Sequence, residues 1–229
     1  MTKLIIATHN AHKVWEIQAV LGDSFACAGL IDYPDAPSVV EDAETFAGNA
    51  SRKALQIVEW LRNDSQPTAT AWEAKTFVLA DDSGLEVDAL KGAPGVHSAR
   101  FAAADAQRGD NCSDAANNEK LLRLLRNTPD AERAARFRCV LALTPLIHCA
   151  HTGGAAAPQM FAGACEGRIA TAASGHGGFG YDPLFIPDGF KVSFAELGDE
   201  TKNQISHRAR ALAELKNWFS TRPDRTLRT

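Results

Sequence analysis

Hydrophobic positions along the chain alternate between two periods. Residues 3–8, KLIIAT, hold a short apolar run, Leu4 to Ala7, that predicts a buried strand. The following AHKVWEIQAVLG sets Val14, Ile17 and Leu21 at helical spacing, with Gly22 as the stop. A second helix is predicted over about 45–61, where Phe46, Ala50, Ala54, Ile57 and Leu61 make the apolar stripe and Asn49 and Lys53 the polar edge. FVLA, at 77–80, predicts a buried strand ending at Asp81-Asp82-Ser83-Gly84, and LEVDAL then alternates like a half-buried strand before the turn GAPG. NNEKLLRLLRN predicts a helix with Pro129 beyond its end. Further on, Phe137, Cys139, Leu141 and Leu143 alternate, and MFAGACEGRIATA predicts a strand pairing antiparallel with that segment. The last helix is expected to start near Ser206 and to bury Ala209, Leu212, Leu215 and Phe219, with 222–229 a frayed tail.

An early strand-helix alternation followed by an antiparallel stretch predicts an α/β fold: one mixed twisted sheet with flanking helices, built as a single domain over 1–229. Polar, turn-rich residues around 62–76 read as a surface loop within it.

Composition narrows the function classes. With 45% hydrophobic residues, the 229-residue chain can bury an ordinary core. A net charge of −4 gives no basic surface for a nucleic-acid polymer, although single lysines can still bind phosphates. The cysteines at 27, 112, 139, 149 and 165 are odd in number and form no C-x-x-C pair, which predicts neither a disulfide framework nor a zinc ribbon. No stretch approaches the roughly 20 apolar residues of a membrane span. A soluble cytoplasmic protein is the expectation.

Four stretches carry chemistry. THNAHK, from Thr8 to Lys13, joins the first strand to the first helix, where backbone N–H groups, the helix dipole and a lysine suit a phosphate. In VVEDAETFAGNASRK, Glu41 precedes the second helix and Asn49 and Lys53 lie four apart on one face, within reach of one ligand or as a solvated edge. In LADDSG, two adjacent carboxylates at the end of a buried strand can hold Mg²⁺ or take a proton from water. An aspartyl-phosphatase motif would need a second Asp two residues after the first, and Ser83 stands there. In ETKNQISHRAR, Lys202, His207 and Arg208 gather cationic groups near a helix start, against the dipole unless a ligand compensates.

Three further patterns lead elsewhere. Gly175, Gly177 and Gly180 in GHGGFGYDPLF fit a dinucleotide fingerprint, but Pro183 and Pro187 follow where a helix should open. HCAH, with His148, Cys149 and His151, has no partner at ligand spacing and reads as a loop. No G-x-x-x-x-G-K-[ST] motif is present.

Taken together, THNAHK, EDAETFAGNASRKA, LADDSGLEVDALKGAPGVHSARFA, GHGGFGYDPLF and ISHRA resemble the inosine triphosphate pyrophosphatase family, in the family's order and over nearly the whole chain. The resemblance implies two lobes around a central substrate cleft, a homodimer, and Mg²⁺-dependent hydrolysis of deaminated purine nucleoside triphosphates (ITP, dITP, XTP) to the monophosphate and pyrophosphate. It also implies that Thr8, His9, Asn10, Ala11, His12, Lys13 and Lys53 hold the triphosphate, with Asn49 beside them. Glu41 and Asp82 are implied as Mg²⁺ ligands and Asp82 as the base that activates water, with Asp81 as the alternative. Ser83 joins the substrate contacts, Phe179, Gly180, Tyr181 and Asp182 form the base pocket, and Lys202, His207 and Arg208 complete purine recognition. Two departures stand out: His9 occupies a loop position often held by Gly, and the stretches 63–76 and 148–159 look longer than in compact members.

Two other readings keep the same residues. One is the same chemistry on a different nucleotide, and the other a nucleotide-binding module without turnover. The carboxylates Glu41, Asp81 and Asp82 argue against a pure binder, which needs no base.

Overall fold

A computed structural model describes residues 1–63, 75–103, 111–146 and 157–221. The element order is β1 (Thr2–Ile6), α1 (Ala11–Leu21), β2 (Phe25–Gly29), α2 (Phe46–Asn63), β3 (Thr76–Val87), α3 (Asp114–Leu125), β4 (Ala134–Pro145), β5 (Gln159–Ile169), β6 (Phe185–Pro187), α4 (Phe194–Ile205) and α5 (His207–Thr221). Among the described residues the strands form one six-stranded sheet in the order β2-β1-β3-β4-β5-β6. β1 runs parallel to β2 and β3, whereas β5 and β6 are antiparallel. The mixed α/β sheet with flanking helices is therefore the one expected. The HCAH motif, most of the stretches 63–76 and 148–159, and the 222–229 tail lie outside the described residues.

The chain divides into two compact units. The first comprises 1–82, 140–162 and the chain from 211 onward, and the second 83–139 and 163–210. In the first, the predicted stripe of α2 is the core: Ala50, Ala54, Ile57 and Leu61 are fully buried with Ile5, Val78 and Ala80 of β1 and β3. Each buried Ile or Leu contributes about 1.5–3 kcal/mol relative to exposure. Because side chains alternate along a strand, Phe77 on β3 points the other way, where its ring meets Phe219 of α5 edge-on at 5.3 Å. The second unit has an aromatic core of Phe101, Phe137, Tyr181, Phe185 and Phe194, with Leu85, Leu121 and Ile169.

Three expectations need correction. β3 does not stop at Asp81; it is one 12-residue strand running through DDSG to Val87. The two aspartates are tolerated in a strand interior because each meets a lysine, Asp81 that of α1 and Asp82 that of α2. Asn49 and Lys53 are not a solvated edge of α2, being 0% and 5% exposed. Finally, the segment before the last helix is itself helical, so that Lys202, upstream of α5, lies on α4. α4 opens with a Ser193–Glu196 capping box and breaks at Gly198, which lies at φ 77°. That box, S-x-x-E, is legible in the sequence. Ser206 caps α5 as expected, its Oγ accepting from the Ala209 N–H at 3.2 Å.

Candidate active site

In the first unit, α1 begins where Asn10 caps it, its Oδ1 accepting from the Lys13 N–H at 3.2 Å while the Asn10 N–H donates to Thr8 Oγ1 at 3.1 Å. His9, Asn10, Ala11 and His12 are exposed and Thr8 half-buried, so this strand-to-helix loop presents itself to solvent. From the first turn of α1, Lys13 Nζ donates to Asp81 Oδ1 at 2.6 Å.

Asp82 points to the opposite face of β3, toward α2. Lys53 Nζ donates to Asp82 Oδ1 at 3.0 Å, to Glu41 Oε1 at 2.9 Å and to the Asp81 carbonyl at 2.8 Å. One turn earlier, Asn49 Nδ2 donates to Asp82 Oδ2 at 3.2 Å, and Asn49 Oδ1 accepts from the Ala43 N–H at 2.9 Å. This second bond ties the segment carrying Glu41 to α2. The i, i+4 spacing of Asn49 and Lys53 thus brings both onto one carboxylate.

Burial pushes the Asp82 carboxyl upward, against the pull of Lys53 and Lys13, and the net shift is upward. Burial works against the charge on Lys53 as well, but Asp82, Glu41 and Asp81 outweigh it and hold the ammonium above its ordinary value. A buried carboxylate raised toward neutrality is better matched to proton abstraction than an ordinary one.

The donor set also fits a hard divalent cation. Glu41 Oε1 and Asp82 Oδ1 already share one cation, the Lys53 ammonium. Among the described residues no group of three or more His, Cys, Asp or Glu side chains could hold an ion by itself. Mg²⁺ is bound in this incomplete way in nucleotide enzymes, by one or two carboxylates with substrate phosphates and water.

The second unit carries a separate set. Ser83 and Arg208 come together, Arg208 Nη2 donating to Ser83 Oγ at 3.0 Å. The Arg208 side chain is among the largest fully buried ones, at 1% exposed. Lys202 Nζ donates to Asp182 Oδ2 at 2.6 Å, and the same oxygen accepts the Phe179 N–H at 2.9 Å. The Phe179 ring is half-buried, with Lys202 Nζ 4.5 Å and Arg208 Cζ 5.9 Å from its centroid. A Cβ at Gly178, which lies at φ 73°, would collide with the Asp182 carboxylate, so only glycine lets the chain turn this tightly.

Two expected pocket residues are engaged elsewhere in the same unit. Tyr181 is buried and its hydroxyl donates to the Ser98 carbonyl at 2.8 Å. The His207 ring stacks on Phe137 at 4.7 Å and 12°. Both therefore fix the segments carrying Asp182 and Arg208. Two residues at the turn went unnoticed in the sequence: Asp114 Oδ2 accepts from the Gly180 N–H at 2.6 Å, and Asn118 Nδ2 donates to the Gly180 carbonyl at 2.9 Å. Their i, i+4 spacing on α3 puts them on one face, but local pattern does not distinguish that from a solvated face.

This arrangement has known relatives. The Ham1 family profile matches residues 4–218. A dITP/XTP pyrophosphatase of Desulforamulus reducens is 45% identical over 211 residues, covering 92% of each chain. One of Opitutus terrae is 45% identical over 224 residues, covering 94% of this chain and 98% of the relative. Among solved structures, a HAM1 protein from Coxiella burnetii superposes with a TM-score of 0.72 at 34% identity, covering 96% of this chain and 100% of that one. Fold, motifs and relatives agree with the resemblance seen in the sequence, and the chain belongs to the Ham1 family.

Proposed function

We propose that the protein hydrolyses deaminated purine nucleoside triphosphates, ITP, dITP and XTP, to the nucleoside monophosphate and pyrophosphate. The observation that carries this reading is the Glu41–Lys53–Asp82 arrangement, with Lys53 and Asp82 buried and Glu41 half-buried, in a chain whose relatives are named dITP/XTP pyrophosphatases.

Asp82 is the group we assign as base. Its carboxylate takes a proton from water, the water oxygen attacks the α-phosphorus, and the bond to the bridging oxygen breaks with pyrophosphate leaving. Lys13 and Lys53 supply positive charge toward the triphosphate and the charge developing on the leaving group. Asn49 holds Asp82 Oδ2, which leaves the orientation of Oδ1 fixed. Glu41 and Asp82 would hold Mg²⁺, which when bound supplies charge neutralisation for the phosphates.

Phe179 offers a ring for stacking the purine. Inosine and xanthine carry an O6 acceptor where adenine carries an amino donor, so the donors of Arg208 and Lys202 match the deaminated bases and leave ATP badly paired. The homodimer and the cytoplasmic setting belong to the same reading. No helix among the described residues is long and apolar enough to cross a membrane, and sedimentation velocity reads the oligomeric state.

Product analysis by anion-exchange chromatography tests the function, using ITP, XTP, GTP and ATP, each with Mg²⁺ and with chelator. IMP and XMP with pyrophosphate, formed with metal and much faster than GMP or AMP, are the expected products. Orthophosphate with a nucleoside diphosphate would place the attack at another phosphorus and overturn the assignment, and nucleotide binding without product would support a module without turnover.

A further inference from the structure

The turn that carries Phe179 is held from outside the pocket. Gly180 lies at φ 64°, and glycine has more conformational freedom to lose than any other residue. Left to itself, such a peptide would have to be ordered each time a ligand bound. Here both of its backbone polar groups are engaged by one helix: Asp114 accepts the N–H at 2.6 Å and Asn118 donates to the carbonyl at 2.9 Å. The two side chains lie four residues apart on α3, so they share a face. The first bond is short and exposed to solvent, so its part is to fix geometry more than to add stability.

Helix α3 is itself tied down. Asn117 Oδ1 accepts the Ala102 N–H at 2.8 Å, its Nδ2 donates to the Ala99 carbonyl at 3.2 Å, and Lys120 Nζ donates to the Phe101 carbonyl at 2.7 Å. The segment so gripped also accepts the Tyr181 hydroxyl through Ser98. Asp114 is not needed as the helix cap, because Ser113 Oγ fills that role on the Ala116 N–H at 3.2 Å.

We propose that Asp114 and Asn118 are positioning residues for base recognition, clamping the Gly180 peptide so that the neighbouring Phe179 ring is presented as a fixed platform. Phe179 is then held on both sides, by Asp182 at its own N–H and by α3 through the next residue. The inference rests on the function proposed above, with Phe179 as the stacking ring.

Steady-state kinetics on ITP with Asp114→Ala, Asn118→Ala, the double variant and Asp114→Asn provide the test. Amide hydrogen exchange at Phe179 and Gly180, followed by NMR, is measured alongside. Stacking serves ground and transition state alike, so the double variant should raise KM roughly tenfold while kcat stays within about twofold. Both amides should exchange faster, and Asp114→Asn, whose amide oxygen can still accept the Gly180 N–H, should regain most of the loss. An unchanged KM in the folded double variant overturns the proposal, as does a loss of kcat and thermal stability without a change in KM, which marks a purely structural role. Unchanged exchange at Gly180 overturns it too. A wild-type protein that turns over no ITP removes the function and this inference together, and is told apart from failure of the clamp alone, where the wild type works and the variants match it.

Discussion

The two polar sets of this chain are charged in opposite senses. In the first unit three carboxylates, Glu41, Asp81 and Asp82, meet two ammonium groups, Lys13 and Lys53. In the second, one carboxylate, Asp182, stands with two cations, Lys202 and Arg208, beside an aromatic ring. Burial makes such imbalances costly, because an uncompensated charge away from water must be answered by a partner. Among the contacts described, carboxylates outnumber ammonium groups in the first set and cations outnumber carboxylates in the second. In the function proposed above, the first set is assigned to the phosphates and the second to the base. The difference between the sets is therefore a contrast that substitutions in each can test separately.

Breaking the first set should have the largest effect. Asp82→Asn keeps the volume and a contact to Lys53 but removes the carboxylate we assign as base, and general-base catalysis is worth roughly 10²–10⁴ in rate. We expect kcat for ITP to fall about 10³-fold, with the circular dichroism spectrum and the affinity for the base half of the substrate retained. A folded variant with near-normal turnover would move the base assignment to Asp81, whose carboxylate is held by Lys13.

Weakening the second set should leave turnover and change selection. In Arg208→Ala the donor matched to O6 is lost, and hydrogen bonds to charged groups are worth about 1.5–3 kcal/mol, so the ITP-over-ATP ratio of kcat/KM should drop roughly tenfold or more. Arg208 is also buried against Ser83, so a melting curve belongs with the kinetics. An unchanged ratio would mean that the base is read by other groups, Lys202 first among them.

How much of this was legible in the sequence differs between the same two regions. The stripe of α2 and the apolar run of β3 announced themselves by period, and with them the elements that deliver Asn49, Lys53, Asp81 and Asp82. The burial of Asn49 and Lys53 did not, because a polar pair at i, i+4 looks the same whether it faces water or a buried carboxylate. The full length of β3 is hidden for a related reason: DDSG has the letters of a turn, and the lysines on both faces make it acceptable as strand. In the second unit the residues expected to form the base pocket are placed by contacts distant in sequence, such as Gly180 with Asp114 and Ser83 with Arg208. Local pattern carries no record of such pairings, and the family resemblance supplied the pocket residues without the clamp behind them.

The smallest effect concerns charges outside both sets. Arg136 grips Asp88 with two bonds of 2.8 and 2.9 Å and Glu166 with one of 2.8 Å, geometry as good as that around Lys53. Asp88 and Glu166 are nevertheless about half exposed, at 49% and 50% of the side chain. Solvent screening should hold the contribution of such a pair below about 1 kcal/mol. The Arg136 hydrogen bond holds the Asp88 carboxyl below its ordinary value. A lowered folded pKa means stability that is present above the unfolded value of about 3.9 and is lost as pH falls through the folded one. Asp88→Asn should therefore cost a small amount of stability at neutral pH, and the gap to wild type should close on acidification below about pH 4 in urea titrations. A gap that stays constant with pH would assign the cost to packing instead, and a gap well above 1 kcal/mol would show that exposure discounts this network far less than the contrast with the buried lysines requires.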